Sequence, residues 1–239
     1  MKTILLILLA LSLKAGAQGG KPQPQHRGEE LLEILRIAEV YRQTPSLSFD
    51  MVYTYHDTID IETPVETVTG SSKISNGNYW TMLDSTEFIQ GYRYSISVFH
   101  QDSTIVVGER QDQGNVMQLP LLDSLFRGAN VDSILIYPVN DTTNEINITF
   151  GPEAAYQAYT LFYHPQTYLV HKVQYYMRGV ADERITTGTA IITLTISNYS
   201  EDPVDQQLFR EDRLVLPSGG DFVGKGGFAG FRIINNITR

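Results

Sequence analysis

Apolar positions in this chain follow a helical period once and a period of two almost everywhere else. Over Glu29 to Gln43, Leu31, Ile34, Leu35, Ala38 and Tyr41 fall on one helical face, and Glu29 and Glu30 favour its positive N-terminal end. Thr44-Pro45 stops this helix, because the residue before a proline is held out of the helical region. Over Ser46 to His56 the period drops to two. Leu47, Phe49, Met51, Tyr53 and Tyr55 alternate with polar residues, and Val52 alone breaks the polar set. Residues Thr63 to Ser75 continue as a β-branched strand, and Asn76-Gly77 predicts a hairpin turn. Short strands are predicted at Tyr79 to Leu83, Glu87 to Gln90, Arg93 to Phe99 and Thr104 to Gly108.

Leu119 to Arg127 interrupts this pattern. Leu121, Leu122, Leu125 and Phe126 are spaced for a short helix or lid, preceded by Pro120 and closed by Gly128. Strands resume at Ser133 to Pro138, Glu145 to Phe150, Ala158 to Tyr163 and Tyr168 to Met177. Arg184 to Tyr199 is the longest strand candidate, and Val204 to Phe209 reads as one helical turn. Pro217 to Arg239 is Gly-rich, carries Phe222, Phe228 and Phe231, and reads as a mobile tail that adds a strand to an open sheet edge or plugs the fold.

One amphipathic helix cannot cover both faces of so much sheet. The expected class is therefore mostly β (α+β): a curved antiparallel sheet, or incomplete β-barrel, wrapping one long N-terminal helix and a short helical lid. Such a cup is a container before it is a catalyst.

Met1 to Ala17 has the layout of a secretory signal: Lys2, an apolar run Ile4 to Leu13, and the small-residue site Ala15-Gly16-Ala17. The run is short of the roughly 20 residues that span a bilayer. Cleavage after Ala17 leaves 222 of the 239 residues: a leader over 18–28, a domain over 29–217 and a C-terminal extension over 218–239. The chain has no cysteine, so it holds together in an oxidising compartment by packing alone. It also lacks the lipid-bearing N-terminal cysteine of a bacterial lipoprotein, and is expected to be soluble in the periplasm or secreted. Without Lys2 and Lys14, 16 basic residues face 27 acidic ones, a net charge of −11 that opposes nucleic acid and anionic membrane surfaces.

No motif of covalent or metal chemistry stands out. His26, His56, His100, His164 and His171 show no ligand spacing, and no cysteine supplements them. No spacing selects a pair of carboxylates, and the sequence contains no nucleophile elbow, zinc-protease motif or phosphate loop. The expectation is no enzyme, no cofactor and no metal. The positive signal is aromatic: Tyr41, Phe49, Tyr53, Tyr55, Tyr79, Trp80, Phe88, Phe99, Phe126, Phe162 and Tyr175 are spread over most elements. They build either an ordinary β core or a greasy cavity. A cavity would be lined by Leu47, Phe49, Met51, Trp80, Phe88, Ile96, Leu161, Val173, Leu194 and Ile196. An acyl chain of about sixteen carbons buried there contributes on the order of 10 kcal/mol before association costs.

The order of these pieces resembles the periplasmic outer-membrane lipoprotein carrier superfamily (LolA-like), in a divergent form of Bacteroidota type, over roughly Glu29 to Pro217. The resemblance is carried by the helix, by LSFDMVYTY (Leu47–Tyr55), by TGSSKISNGNYWTML (Thr69–Leu83) and by EFIQGYRYSISVFHQDSTIVV (Glu87–Val107). LPLLDSLF (Leu119–Phe126), YTLFYHPQTYLVHKVQYYM (Tyr159–Met177) and TAIITLTISNYSEDPVDQQLF (Thr189–Phe209) complete it. It implies an open β half-barrel with a helical lid, binding the acyl chains of a lipid or lipoprotein in outer-membrane biogenesis. The shuttling members carry an Arg-Pro pair where this chain has Asn76-Gly77, and that arginine fastens their lid; Arg93 is the candidate replacement here. The alternative is an envelope protein-interaction or sensory module on the same fold with a closed core. Six triplets, beginning at Asp57, Asp84, Asp102, Asp123, Asp132 and Asp141, resemble the acceptor for O-glycosylation of exported Bacteroidota proteins. Turn chemistry accounts for any one of them.

Overall fold

The computed structural model describes residues 28–110 and 131–237. The signal segment, nearly all of the leader and the expected lid residues Leu121, Leu122, Leu125 and Phe126 lie outside them. The chain opens on α1 (Gly28–Gln43), followed by β1 (Leu47–Asp57), β2 (Glu66–Ser75), β3 (Asn78–Leu83), β4 (Thr86–Gln90), β5 (Tyr94–Phe99) and β6 (Thr104–Glu109). Then come β7 (Val131–Asn140), β8 (Thr143–Phe150), β9 (Tyr156–Tyr163), β10 (Val170–Arg178) and β11 (Thr189–Ser200). Three short strands end it: β12 (Val215–Ser218), β13 (Asp221–Gly224) and β14 (Arg232–Asn235).

Twelve strands form one sheet in the order β14-β6-β5-β4-β3-β2-β1-β11-β10-β9-β8-β7. β14 and β7 are its two edges, so the sheet is open and not closed into a barrel. This is the expected mostly-β class with one N-terminal helix. Asn76 (φ 49°) and Gly77 (φ 74°) make the β2–β3 hairpin turn that their sequence predicts.

Two expectations need correction. On α1 the buried stripe is Ile34, Ile37 and Tyr41, whereas Leu35 is 57% exposed. The stripe advances by three and four residues and passes Leu35 by about one-quarter turn. The longest strand begins at Thr189, not Arg184. Residues before it turn: Ile185 N donates to Asp182 O, and Gly188 takes φ 67°.

The chain divides into two compact units. Described residues of the first are 28–40, 51–68 and 131–197. Its core face is set by register. Ile146 lies opposite Leu161, Leu161 opposite Val173, and Val173 opposite Leu194. The next row runs Ile148, Tyr159, Tyr175, Ile192, and all eight side chains are buried. The reverse face carries polar pairs, such as Asn147 donating to Thr160 Oγ1 at 3.0 Å and Gln174 donating to Thr193 Oγ1 at 3.2 Å. That alternation is what a sheet with one solvated face requires. Tyr163 on β9 donates from its hydroxyl to Glu33 Oε1 on α1 at 2.8 Å.

Described residues of the second unit are 41–50, 69–110 and 198–237. Here β4 is buried at every position. One face presents the row Lys73, Trp80, Ile89, Ile96, Val107. The C-terminal segment covers it: Leu214, Val215 and Phe222 pack on Ile89, Ile96, Val98, Ile105 and Val107, flanked by Phe228, Phe231 and Ile233. The tail is therefore ordered, contrary to its reading as mobile. It supplies edge strand β14, parallel to β6, from Arg232 opposite Thr104 to Asn235 opposite Val107. Its glycines are structural. Gly219 (φ 60°) and Gly220 (φ 87°) turn the β12–β13 hairpin, and a Cβ on Gly224 would sit 1.9 Å from Phe228 O.

A buried carboxylate ties this cover down. Glu87 accepts from Trp80 Nε1 and from the Arg213 guanidinium, and His100 Nε2 lies 3.8 Å from its other oxygen. The His100 ring sits 5.9 Å from that of Phe228 and 6.2 Å from that of Phe231.

Candidate functional site

The ten expected lining residues fall into four groups. Leu161, Val173 and Leu194 are immediate cross-strand neighbours in the first unit, and Met51 and Ile196 are buried in the same unit. In the second unit Trp80 and Ile96 share the row beneath the C-terminal segment. Phe88 pairs with Thr81 and Ser97, one position out of step, and so faces the opposite side of the sheet. Leu47 and Phe49 are buried on β1, with the Phe49 ring 5.3 Å from that of Tyr199. No single face holds Trp80 and Phe88 together, because neighbouring register positions point opposite ways.

The aliphatic rows of the first unit hold something the lining list missed. Tyr53, Tyr55, Tyr159 and Tyr175 are 4%, 0%, 3% and 2% exposed, so their rings are core residues. Tyr159 and Tyr175 face each other across β9 and β10, ring centroids 5.2 Å apart and nearly edge-to-face. An ionised Tyr53 would raise both of the other two phenols, so the three stand within electrostatic reach of one another. Tyr53 and Tyr55 follow Met51 at period two, and Tyr159 and Tyr175 stand two residues from Leu161 and Val173. The same alternation that selected those neighbours therefore pointed to the tyrosines.

One hydroxyl is the unusual part. Tyr55 Oη is fully buried with no hydrogen-bond partner. Among the described residues it is the one tyrosine oxygen both shut off from solvent and unpartnered. Other tyrosines of the molecule are paired: Tyr163 donates to Glu33, and the Tyr41 and Tyr199 hydroxyls meet at 2.8 Å. Burial pushes the Tyr55 phenol up to about 12 and those of Tyr53, Tyr159 and Tyr175 higher still. All four stay neutral at physiological pH, with a proton to donate. Asp57, Glu66 and Asp182 raise Tyr55 further and Arg184 opposes them, so an acidic cluster stands near that hydroxyl.

That cluster closes one end of the unit as a turn. Asp57 accepts from Thr186 N, Thr186 Oγ1 and Thr187 Oγ1, each at 2.6 Å. Arg184 bridges Glu66 at 3.2 Å and Asp182 at 2.8 Å. Among the described residues no three His, Cys, Asp or Glu side chains gather as metal ligands. His164 Nδ1 accepts from Gln166 N and Thr167 N, as a turn residue does. Burial pushes the His171 imidazole down, and its ring stands 6.3 Å from Phe162.

At the Asn76-Gly77 turn the arginine is Arg110, which donates to Asn78 Oδ1 at 2.8 Å and Gly77 O at 2.9 Å. Arg93 instead lies over the Tyr94 ring. Of the Asp-Ser/Thr triplets, those at Asp84 and Asp102 sit in turns, where Asp84 and Ser103 take positive φ. Thr58 is bonded to Thr189 Oγ1 at 2.7 Å, and the triplet at Asp123 lies outside the described residues.

Neither a protein-family model nor a curated protein matches this sequence. Solved structures similar to it include an uncharacterized conserved protein from Thermus thermophilus, at 9% identity and TM-score 0.45 over 86% of this chain and 98% of that one. A LolA superfamily protein from Nitrosomonas europaea is similar at 12% identity and TM-score 0.36 over 77% and 99%. The lipoprotein LppX from Mycobacterium tuberculosis is similar at 12% identity and TM-score 0.37 over 74% and 97%. No helix among the described residues is long and apolar enough to cross a membrane.

Proposed function

We propose that this is an exported, non-enzymatic binding protein that holds the acyl part of a lipid or lipoprotein in the core of its first unit, as a carrier or chaperone does. The observation that carries this reading is the continuous run of apolar side chains, Ile146, Leu161, Val173 and Leu194 beside Ile148, Tyr159, Tyr175 and Ile192, on one face of an open sheet whose unit also buries the unpartnered hydroxyl of Tyr55. A core evolved only for stability satisfies such a hydroxyl or replaces its residue with phenylalanine. A core that opens to a ligand keeps it for the bound state. Capture is non-covalent. Its driving force is apolar area removed from water, and it needs no cofactor.

The test is titration of a fluorescent acyl probe into the purified protein and into Leu194→Glu. The native chain is expected to bind the probe at micromolar concentration or tighter, and the variant to lose this while keeping its far-ultraviolet circular dichroism. A folded variant with unchanged affinity would remove the site from this core.

A second reading rests on edge strand β7. Leu135, Tyr137 and Val139 are 45%, 45% and 51% exposed there, which is unusual for a strand that is the edge of the sheet among the described residues. An extended segment of an envelope protein would add to such an edge. Loss of partner capture in Tyr137→Lys, with acyl-probe binding intact, would favour this second reading.

A further inference from the structure

The loop between β1 and β2, residues 58–65, holds two isoleucines in water. Ile59 is 74% and Ile61 63% exposed, more than any other large apolar side chain among the described residues. Yet the loop is braced along its length. Asp60 Oδ1 accepts from Glu62 N at 3.2 Å and from Thr63 N at 3.0 Å, and Asp60 N donates to Asp57 O at 3.3 Å. At its ends the Thr58 and Thr189 hydroxyls meet at 2.7 Å, and Val65 N donates to Tyr55 O at 2.7 Å. We propose that this loop is a docking tip for a protein partner, with Ile59 and Ile61 entering an apolar pocket rimmed by lysine or arginine. This goes beyond the acyl-binding reading and does not depend on it.

A single exposed isoleucine is ordinary on a protein surface. Here two stand two residues apart in one braced loop, each followed by a carboxylate: Ile59-Asp60-Ile61-Glu62. A loop that only joins two strands is served better by polar residues at both positions. Apolar side chains held ready in water are what a docking tip needs, because ordering that is complete before encounter is not charged against association.

The charges select the partner. Asp60 and Glu62 are exposed, and residues 57–65 include no lysine or arginine. Arg184 bridges Glu66 and Asp182 and so leaves the tip acidic. A pocket with a cationic rim complements this surface, whereas an acidic protein or an anionic lipid surface is repelled by it. The occupant is therefore a basic-rimmed protein pocket and not a membrane.

The experiment places the photo-crosslinking residue p-benzoylphenylalanine at position 61 of the full chain in its native host. The control places it at Gln166, which is exposed in the turn between β9 and β10. Ultraviolet light should join position 61, and not position 166, to a discrete protein. The contact peptide, read by mass spectrometry, should hold Lys or Arg beside apolar residues. Ile59→Ser and Glu62→Lys should each lower the yield about ten-fold, the effect of losing one buried isoleucine or reversing one rim charge. High salt should weaken the adduct too. Both substitutions are on exposed positions, so the variants should melt with the native chain and bind an acyl probe as before. Equal adducts from positions 61 and 166, no adduct from position 61, or one that survives both substitutions would overturn the docking tip. A contact peptide without Lys or Arg would overturn the basic rim, and a lipid adduct would overturn the protein partner.

Discussion

Tyr163 on β9 and Glu33 on α1 are joined by a 2.8 Å hydrogen bond across 130 residues of sequence. It fixes the helix to the sheet of the first unit at a defined point, and Asn144 supports it by donating to the Tyr163 hydroxyl at 3.3 Å. Burial and the neighbouring Glu33 both push the phenol up, so it remains a donor throughout the physiological range. Tyr163→Phe should lower the unfolding free energy by about 1 kcal/mol, read as a shift in the urea midpoint with unchanged slope. An unchanged midpoint would show that the bond contributes nothing net.

The Asp57 turn should be sensitive to acid. Hydrogen bonds from Thr186 and Thr187 hold the Asp57 carboxyl far below its ordinary 3.8. A carboxylate depressed in the folded state stabilises above its unfolded value and loses that contribution as pH falls from 3.8 towards the folded one. Asp57→Asn should therefore be less stable than the native chain at neutral pH, and the gap should narrow on acidification below that value. A gap independent of pH would place the effect of the substitution elsewhere.

The C-terminal cover depends on Glu87. Its side chain is 5% exposed and is met by Trp80, Arg213 and His100. Glu87→Ala strands a guanidinium and an indole donor and should cost about 3 kcal/mol. The released segment should then be cut by trypsin near Arg232 under conditions in which the native protein resists. Equal resistance would mean that apolar packing alone retains the tail.

Gly224 tests the tail independently of charge. A Cβ at this position meets Phe228 O at 1.9 Å and its carbonyl carbon at 2.6 Å, both backbone atoms. Gly224→Ala must move the chain and should destabilise by at least about 1–3 kcal/mol, whereas Gly227→Ala, with open space around it, should be near neutral. Equal behaviour of the two variants would contradict the close approach described here.

Much of this architecture is legible because a period of two survives without context. The rows through Leu161, Val173 and Leu194 can be read from alternation, and Asn76-Gly77 announces its own hairpin. The added edge strand of the tail is legible, but its order is not, because a high glycine count reads as mobility. Its glycines serve a hairpin turn and a close contact, and its phenylalanines serve a face of β4 to β6 that pairing alone reveals. The lining list mixed two faces for a similar reason. Trp80 and Phe88 sit on neighbouring short strands, and only the register decides that they point apart. The unpartnered hydroxyl of Tyr55 is invisible in sequence, since a tyrosine at a core position looks the same whether or not its oxygen is satisfied.

The most direct measurement is native mass spectrometry of residues 18–239 purified from a bacterial periplasm, followed by solvent extraction of whatever accompanies the protein. The account predicts a bound mass that extracts as a fatty acid, phospholipid or acylated peptide and that is reduced in Leu194→Glu. An empty protein that stays empty when challenged with excess acyl ester would contradict it, and would leave the first unit as a closed core.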